Sequence, residues 1–209
     1  ETIASISVLA AALKEVSSLK LGINVLRNDA HSALAIAAVT GCDFIRVNVW
    51  SGVTATDQGW VESNAAFLAR ERTRLGASVA IFADAWVKHG VSYSSLDLVS
   101  CIEDLVGRSL ADAVIISGAK TGSPPGEDLN EAFEATRGLG IPCYVGSGIS
   151  SSNVASIKRR CDGMIVSSDL RKNGKAGADL DPKRLKRWVD AYRSVSRRAK
   201  GKSTRKKMR

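Results

Sequence analysis

The chain has 209 residues, 44% apolar and 24% charged, which suits one sizeable domain with a real core and excludes a low-complexity or fibrous polymer. Its formal charge of +9 is local: residues 197–209 carry eight Lys or Arg and no acid, and the remainder holds 22 basic against 21 acidic residues. A body-wide basic face for nucleic acid is therefore excluded, as are a membrane-spanning run and a signal-peptide pattern at the amino terminus.

The first segment, 2–17, places Ile3, Ile6, Leu9, Ala10, Leu13 and Val16 at helical spacing. A β-rich run at 21–26 follows, ending in Arg27-Asn28-Asp29. Asp29 is placed to cap a helix over Ala30–Thr40, with Gly41 as its stop. The run at 43–49 puts Ile45, Val47 and Val49 on one face and Arg46 and Asn48 on the other. A polar loop carrying Thr56-Asp57-Gln58 comes next. Further β-rich runs lie near 78–84, 112–117, 142–146 and 162–167, with helical patterns between them. Gly76 and Gly140 end two of these helices, Ser150 or Ser151 caps one reaching toward Arg160, and Asp181-Pro182 opens the last.

Strands separated by helices pair in parallel through right-handed crossovers. Such a sheet is either open and doubly wound or closed as a barrel. Polar residues recurring at strand ends favour the barrel, whose site is built by the loops after several strands. The expected fold is thus α/β, a parallel (β/α) TIM-type barrel that is incomplete, with a leading helix plus six β/α units where a full barrel has eight. Residues 1–196 form this body, and 197–209 form a basic tail expected to be disordered. Six strands leave two open edges, which an oligomer would cover. The tail is either a solvated extension or a contact for an anionic membrane surface or nucleic acid.

Four constellations carry candidate chemistry. Asn24, Arg27 and Asp29 follow one strand, and Arg46 and Asn48 lie within the next, with Asp57 in the loop beyond. An Arg fork suits a carboxylate or phosphate, and polar groups on an otherwise apolar strand need partners. The bland alternative makes Asp29 a helix cap and Arg27 a solvated charge. Asp84 closes a strand and is followed by Lys88 and His89, three groups suited to proton transfer or, more simply, an Asp–Lys ion pair. Gly146, Ser147 and Gly148 precede a helix, and Ser167 and Ser168 end the last strand. Together they suggest a phosphate site of the kind barrels build after strands seven and eight, or else only a tight turn. Gly118 opens a shaped loop running to Pro124-Pro125, either a lid or pocket wall or only a connection.

No P-loop, zinc-helix motif or nucleophile elbow is present, and no cofactor is expected; isolated Asp residues would hold a divalent ion only if a phosphorylated ligand shared it. Cys42, Cys101, Cys143 and Cys161 are widely spaced beside apolar segments, and read as reduced core residues in an intracellular, reducing compartment. The chain begins at Glu1 rather than Met, which leaves residues upstream open.

Taken together, Gly22–Asp29, Asp43–Val49, Thr56–Gly59, Ile81–Asp84 with Val87–His89, Thr121–Pro125, Val145–Gly148 and Gly163–Ser168 resemble the BtpA/SgcQ family, from the first helix to about Tyr192. That family is similar to the ribulose-phosphate-binding barrels. The resemblance implies a phosphate-binding barrel, and with it an enzyme acting on a small phosphorylated metabolite such as a sugar or nucleoside phosphate. In that role Asp84 is the general base and Lys88 or His89 the acid or electrophile. The family's cyanobacterial members, peripheral thylakoid proteins linked to photosystem I biogenesis, imply the alternative of a non-catalytic assembly factor. A truncated, inactive paralogue is the third reading. Relative to the family pattern the chain lacks two leading strand–helix units, carries Ser167-Ser168 where Gly-Thr or Gly-Ser is usual, and adds the basic tail.

Overall fold

The computed structural model describes residues 1–86, 90–93, 96–118 and 124–206, with backbone only from 196 onward. Six parallel strands form one curled sheet in the order β1 (Gly22–Ile23), β2 (Phe44–Val47), β5 (Ala80–Asp84), β7 (Ala113–Ile116), β8 (Cys143–Val145) and β9 (Gly163–Met164). Spatial order equals chain order, as in a barrel and unlike an open doubly wound sheet. The six β/α units expected from the sequence are all present, and the sheet is a partial barrel.

Helices cover the outer face: α1 (Thr2–Val16), α2 (Ala30–Thr40), α3 (Ala65–Arg74), α4 (Leu98–Glu103), α5 (Asp128–Gly138), α6 (Val154–Ile157) and α7 (Pro182–Lys206). The core lies between these helices and the convex sheet face. Ile45, Val47, Ile81, Ala83, Val114, Cys143 and Val145 are all buried there against Leu34, Ala37, Leu68, Ile102, Leu129 and Ala132. Alternation puts the register partners Arg46 and Phe82, and the next inward pair Asp84 and Ile115, on the concave face. Phe44, Phe82 and Tyr144 cross that face as a row of rings, with centroids 4.4 and 4.9 Å apart. At both ends of the row the neighbouring strand carries a glycine. A methyl at Gly22 would fall 2.1 Å from the Phe44 ring, and one at Gly163 would fall 2.2 Å from Tyr144.

Local signals explain most boundaries. Asp29 accepts a bond from Ser32 N at the start of α2, and Gly41 ends it at φ 68. Asp181 accepts from the N–H groups of Lys183 and Arg184 at the start of α7. The cap of α6 differs from expectation. Asn153 fills it, and its side chain turns back to accept from Ser150 N and donate to Gly148 O, so the helix starts later and is only four residues long. The backbone of α7 continues helically to Lys206, into the basic segment whose composition predicts disorder.

Three aspartates repeat one device. Asp43, Asp112 and Asp162 each stand one residue before a strand and accept the N–H of Leu21, Ile81 and Cys143, which lie at the start of the neighbouring strand. They tie the amino-terminal rim of the sheet, the end opposite the loops that build sites in such folds.

A second sheet replaces the expected polar loop. Strands β3 (Val53–Thr56) and β4 (Gly59–Glu62) form a hairpin, and β6 (Gly90–Ser92), from the connection after β5, adds to β3 antiparallel. This three-stranded sheet overhangs the carboxyl end of the parallel one.

Candidate functional site

Arg46, Asn48 and Asp84 meet at the carboxyl ends of β2 and β5. Asp84 is 5% exposed. Its Oδ1 accepts from Arg46 Nε at 3.2 Å and Nη2 at 3.0 Å, and its Oδ2 from Arg46 Nη2 at 3.0 Å and Asn48 Nδ2 at 2.7 Å. Asp84 thus takes the Nε–Nη2 edge of the guanidinium, leaving Nη1 on its other edge. The bond from Nδ2 fixes the Asn48 amide, whose Oδ1 is buried without a partner among the described residues. Ser117, one residue past β7, has a hydroxyl in the same condition. Gly146 follows β8 directly beside them. A methyl there would lie 2.7 Å from Ser117 Oγ and 3.5 Å from Arg46 Nη2, so the glycine allows these groups to converge.

Asn48, Asp84 and Ser117 of this cluster reach the floor of a cavity of about 900 Å³, roofed by the three-stranded sheet. Asn48, Asp84, Ser117 and Gly118 line its base, Asp57 and Thr56 its roof, and Trp86 one wall. Buried Trp50 supports the floor, donating from Nε1 to Ser109 O at 2.7 Å.

The other expected residues are distributed differently. Asn24 donates to Arg46 O at 2.8 Å, bracing β1 to β2. Arg27 reaches Asp57 at 3.1 Å and so ties the loop after β1 to the hairpin turn. Asp29 serves α2. Asn28 bonds both the N–H and the C=O of Val49, a brace of the same kind. Ser147 is buried, and Gly148 has φ 65. Ser167 Oγ accepts from Arg171 Nε, and Ser168 begins a 3₁₀ turn. Nearby Asp169 accepts from Ser151 N and pairs with Arg184 at 2.9 Å. One of the backbone donors after the glycine loop is therefore already taken by a carboxylate of the chain. Lys88 and His89 lie outside the described residues, as does 119–123 of the loop after Gly118. Among the described residues no group of three or more His, Cys, Asp or Glu is placed to hold a metal ion, and no helix is long and apolar enough to cross a membrane.

Sequence reasoning singles out Gly118 but misses Ser117 and Trp86. Alternation was the usable signal for Ser117, since it stands two residues past inward-facing Ile115.

Residues 1–194 match the BtpA family. The chain belongs to that family. The photosystem I biogenesis protein BtpA of Synechocystis is 45% identical over 185 residues, covering 88% of this chain and 64% of that protein. The chain therefore spans less than two thirds of that relative. Among solved structures, N-(5'-phosphoribosyl)anthranilate isomerase from Pyrococcus furiosus is 18% identical, with a TM-score of 0.58 over 90% of this chain and 80% of its own. Thiamine phosphate pyrophosphorylase from the same organism is 13% identical, with a TM-score of 0.60 over 92% and 78%. At these identities the likeness shows the barrel fold alone.

Proposed function

We propose that the chain binds a small phosphorylated metabolite at the carboxyl end of its parallel sheet and belongs to an enzyme acting on it. The observation that carries this reading is the convergence of Arg46, Asn48, Asp84, Ser117 and Gly146 at four strand ends, with two buried polar atoms unsatisfied beneath a large cavity. Buried unpaired polar groups cost stability, and a cavity floor that keeps them suits a ligand that supplies the missing bonds. The names of the two Pyrococcus proteins, one a phosphoribosyl compound isomerase and the other a thiamine phosphate pyrophosphorylase, add support. In this reading the glycine loop 146–148, with Ser167 and Ser168, takes the phosphate.

Asp84 is the candidate base, with Lys88 or His89 as its acid. Both Asp84 oxygens already receive donors, so a proton reaches the carboxylate only in exchange for one of those bonds. The geometry favours a positioning role first: Asp84 fixes Arg46, whose free edge suits an anionic or carbonyl oxygen, and Asn48.

The test compares thermal stabilisation by ribose 5-phosphate with that by ribose, because a ligand bound only by the native state raises stability with its concentration. The reading expects the phosphorylated member to stabilise far more. Equal or absent effects across sugar phosphates and nucleoside monophosphates would remove it. An Asp84→Asn protein with full activity on an identified substrate would remove the base assignment. The name of the Synechocystis relative favours a second reading, a factor in photosystem I biogenesis. On that reading, binding to an anionic membrane through residues 197–209 would fall steeply with salt.

A further inference from the structure

The cavity is much larger than a phosphosugar needs. At about 900 Å³ it is near the upper end of ordinary ligand pockets, and the glycine loop that suits a phosphate lies behind its lining, with Gly146 against Ser117. What the floor offers instead is an acceptor. Asn48 Nδ2 is held by Asp84 at 2.7 Å, so the amide cannot turn over without losing that bond, and Oδ1 is committed to receiving a proton. Ser117 Oγ, equally unpartnered, can give or accept. Among the described lining residues Asp57, Asp84 and Asp104 are paired with Arg27, Arg46 and Arg108, and Asp128 adds a further carboxylate. That balance suits an uncharged, donor-rich group rather than a second anion. Trp86, 41% exposed, gives the wall a flat aromatic face, and Val91 and Leu96 extend its apolar side.

We propose that this cavity takes the nucleoside part of a nucleoside monophosphate. Its hydroxyl or amino donors lie on Asn48 Oδ1 and Ser117 Oγ, and its base lies against Trp86. The inference rests on the reading that the neighbouring glycine loop takes the phosphate. Arg46 and Ser117, both next to Gly146, stand where the two halves of such a ligand join.

The experiment titrates the full chain calorimetrically with AMP, GMP, CMP, UMP, adenosine, ribose 5-phosphate and inorganic phosphate. At least one nucleoside monophosphate should bind ten-fold or more tightly than ribose 5-phosphate. Ser117→Ala should weaken that binding about 5- to 10-fold without lowering Tm, because the hydroxyl makes no bond among the described residues. Trp86→Phe should identify the tryptophan whose fluorescence the base perturbs. If ribose 5-phosphate binds as well as every nucleotide, or if Ser117→Ala and Trp86→Phe leave nucleotide binding and its signal intact, the inference falls while the phosphate reading stands. If adenosine binds as tightly as AMP and loses affinity in Ser117→Ala, the phosphate reading falls and takes the nucleoside monophosphate with it, leaving a plain nucleoside site. If none of the seven binds, both fall.

Discussion

Replacing Arg46 by Met tests how the site is held together. Asp84 has a side chain only 3% exposed, and it would lose three of the four donor contacts described above, keeping Asn48. Removing one partner of a buried ion pair costs about 3–5 kcal/mol, mostly from the charge left behind. Arg46 is itself 23% exposed, so water reaches part of the vacated space, and the lower end, about 3 kcal/mol, applies. With a urea m-value of about 2–3 kcal/mol/M, the midpoint should fall by about 1 M or slightly more. Asp84→Leu in the same background removes the remaining carboxylate charge and should restore at least half of the loss, giving a coupling well above about 0.5 kcal/mol in the double-mutant cycle. Urea unfolding followed by far-ultraviolet circular dichroism measures all four proteins. A loss below about 1 kcal/mol for Arg46→Met, or strict additivity in the cycle, would show that the pair does not hold the site and would refute the reasoning.

Three further outcomes are expected. Gly146→Ala places a methyl 2.7 Å from both Ile115 Cγ2 and Ser117 Oγ, and should cost about 1–3 kcal/mol as overpacking, read as a lowered urea midpoint. Lys20 and the N–H of Leu21 hold the Asp43 carboxylate well below the usual range. The stability it adds is present above about pH 4 and is lost as pH falls toward its lower folded value. The deficit of Asp43→Asn at pH 7 should therefore narrow on acidification below about pH 4, followed by urea midpoints at several pH values. Burial, reinforced by Cys161, pushes the Cys143 thiol up to about 12, and burial pushes Cys161 to about 11. Both should resist a thiol reagent at pH 8 in the native protein and react on unfolding; mass spectrometry of the labelled peptides decides this.

The parallel sheet was legible because its strands are apolar runs flanked by helices with local stops. Asp29 and Gly41 bracket α2 where capping chemistry places them. Arg46 and Asn48 stood out because alternation puts them opposite Ile45 and Val47, and the structure gives both a partner in Asp84. The second sheet was hidden for a physical reason. Val53–Thr56 is half-polar with one buried residue and Gly59–Glu62 is largely exposed, so they carry little burial pattern, and the pairing of Val53–Thr56 with Gly90–Ser92 is non-local. Asn153 was overlooked as the α6 cap because its side chain reaches backward to Ser150 and Gly148, while serines that look equally suitable precede it. The repeat of Asp43, Asp112 and Asp162 was visible only as letters. Its meaning needs the neighbouring strand, 19 to 31 residues upstream.

The outer strands of the parallel sheet decide how this chain would stick to itself. β1 and β9 each contribute only two ladder residues, so an incoming backbone finds almost no row of donors and acceptors to copy. Apolar side chains gather elsewhere, on α1, where Val8, Leu9 and Val16 are 70, 61 and 82% exposed. Any self-association of this chain would then be a matter of greasy surfaces meeting, weakened by cooling and reversed by dilution, rather than of parallel-sheet edges templating a fibre.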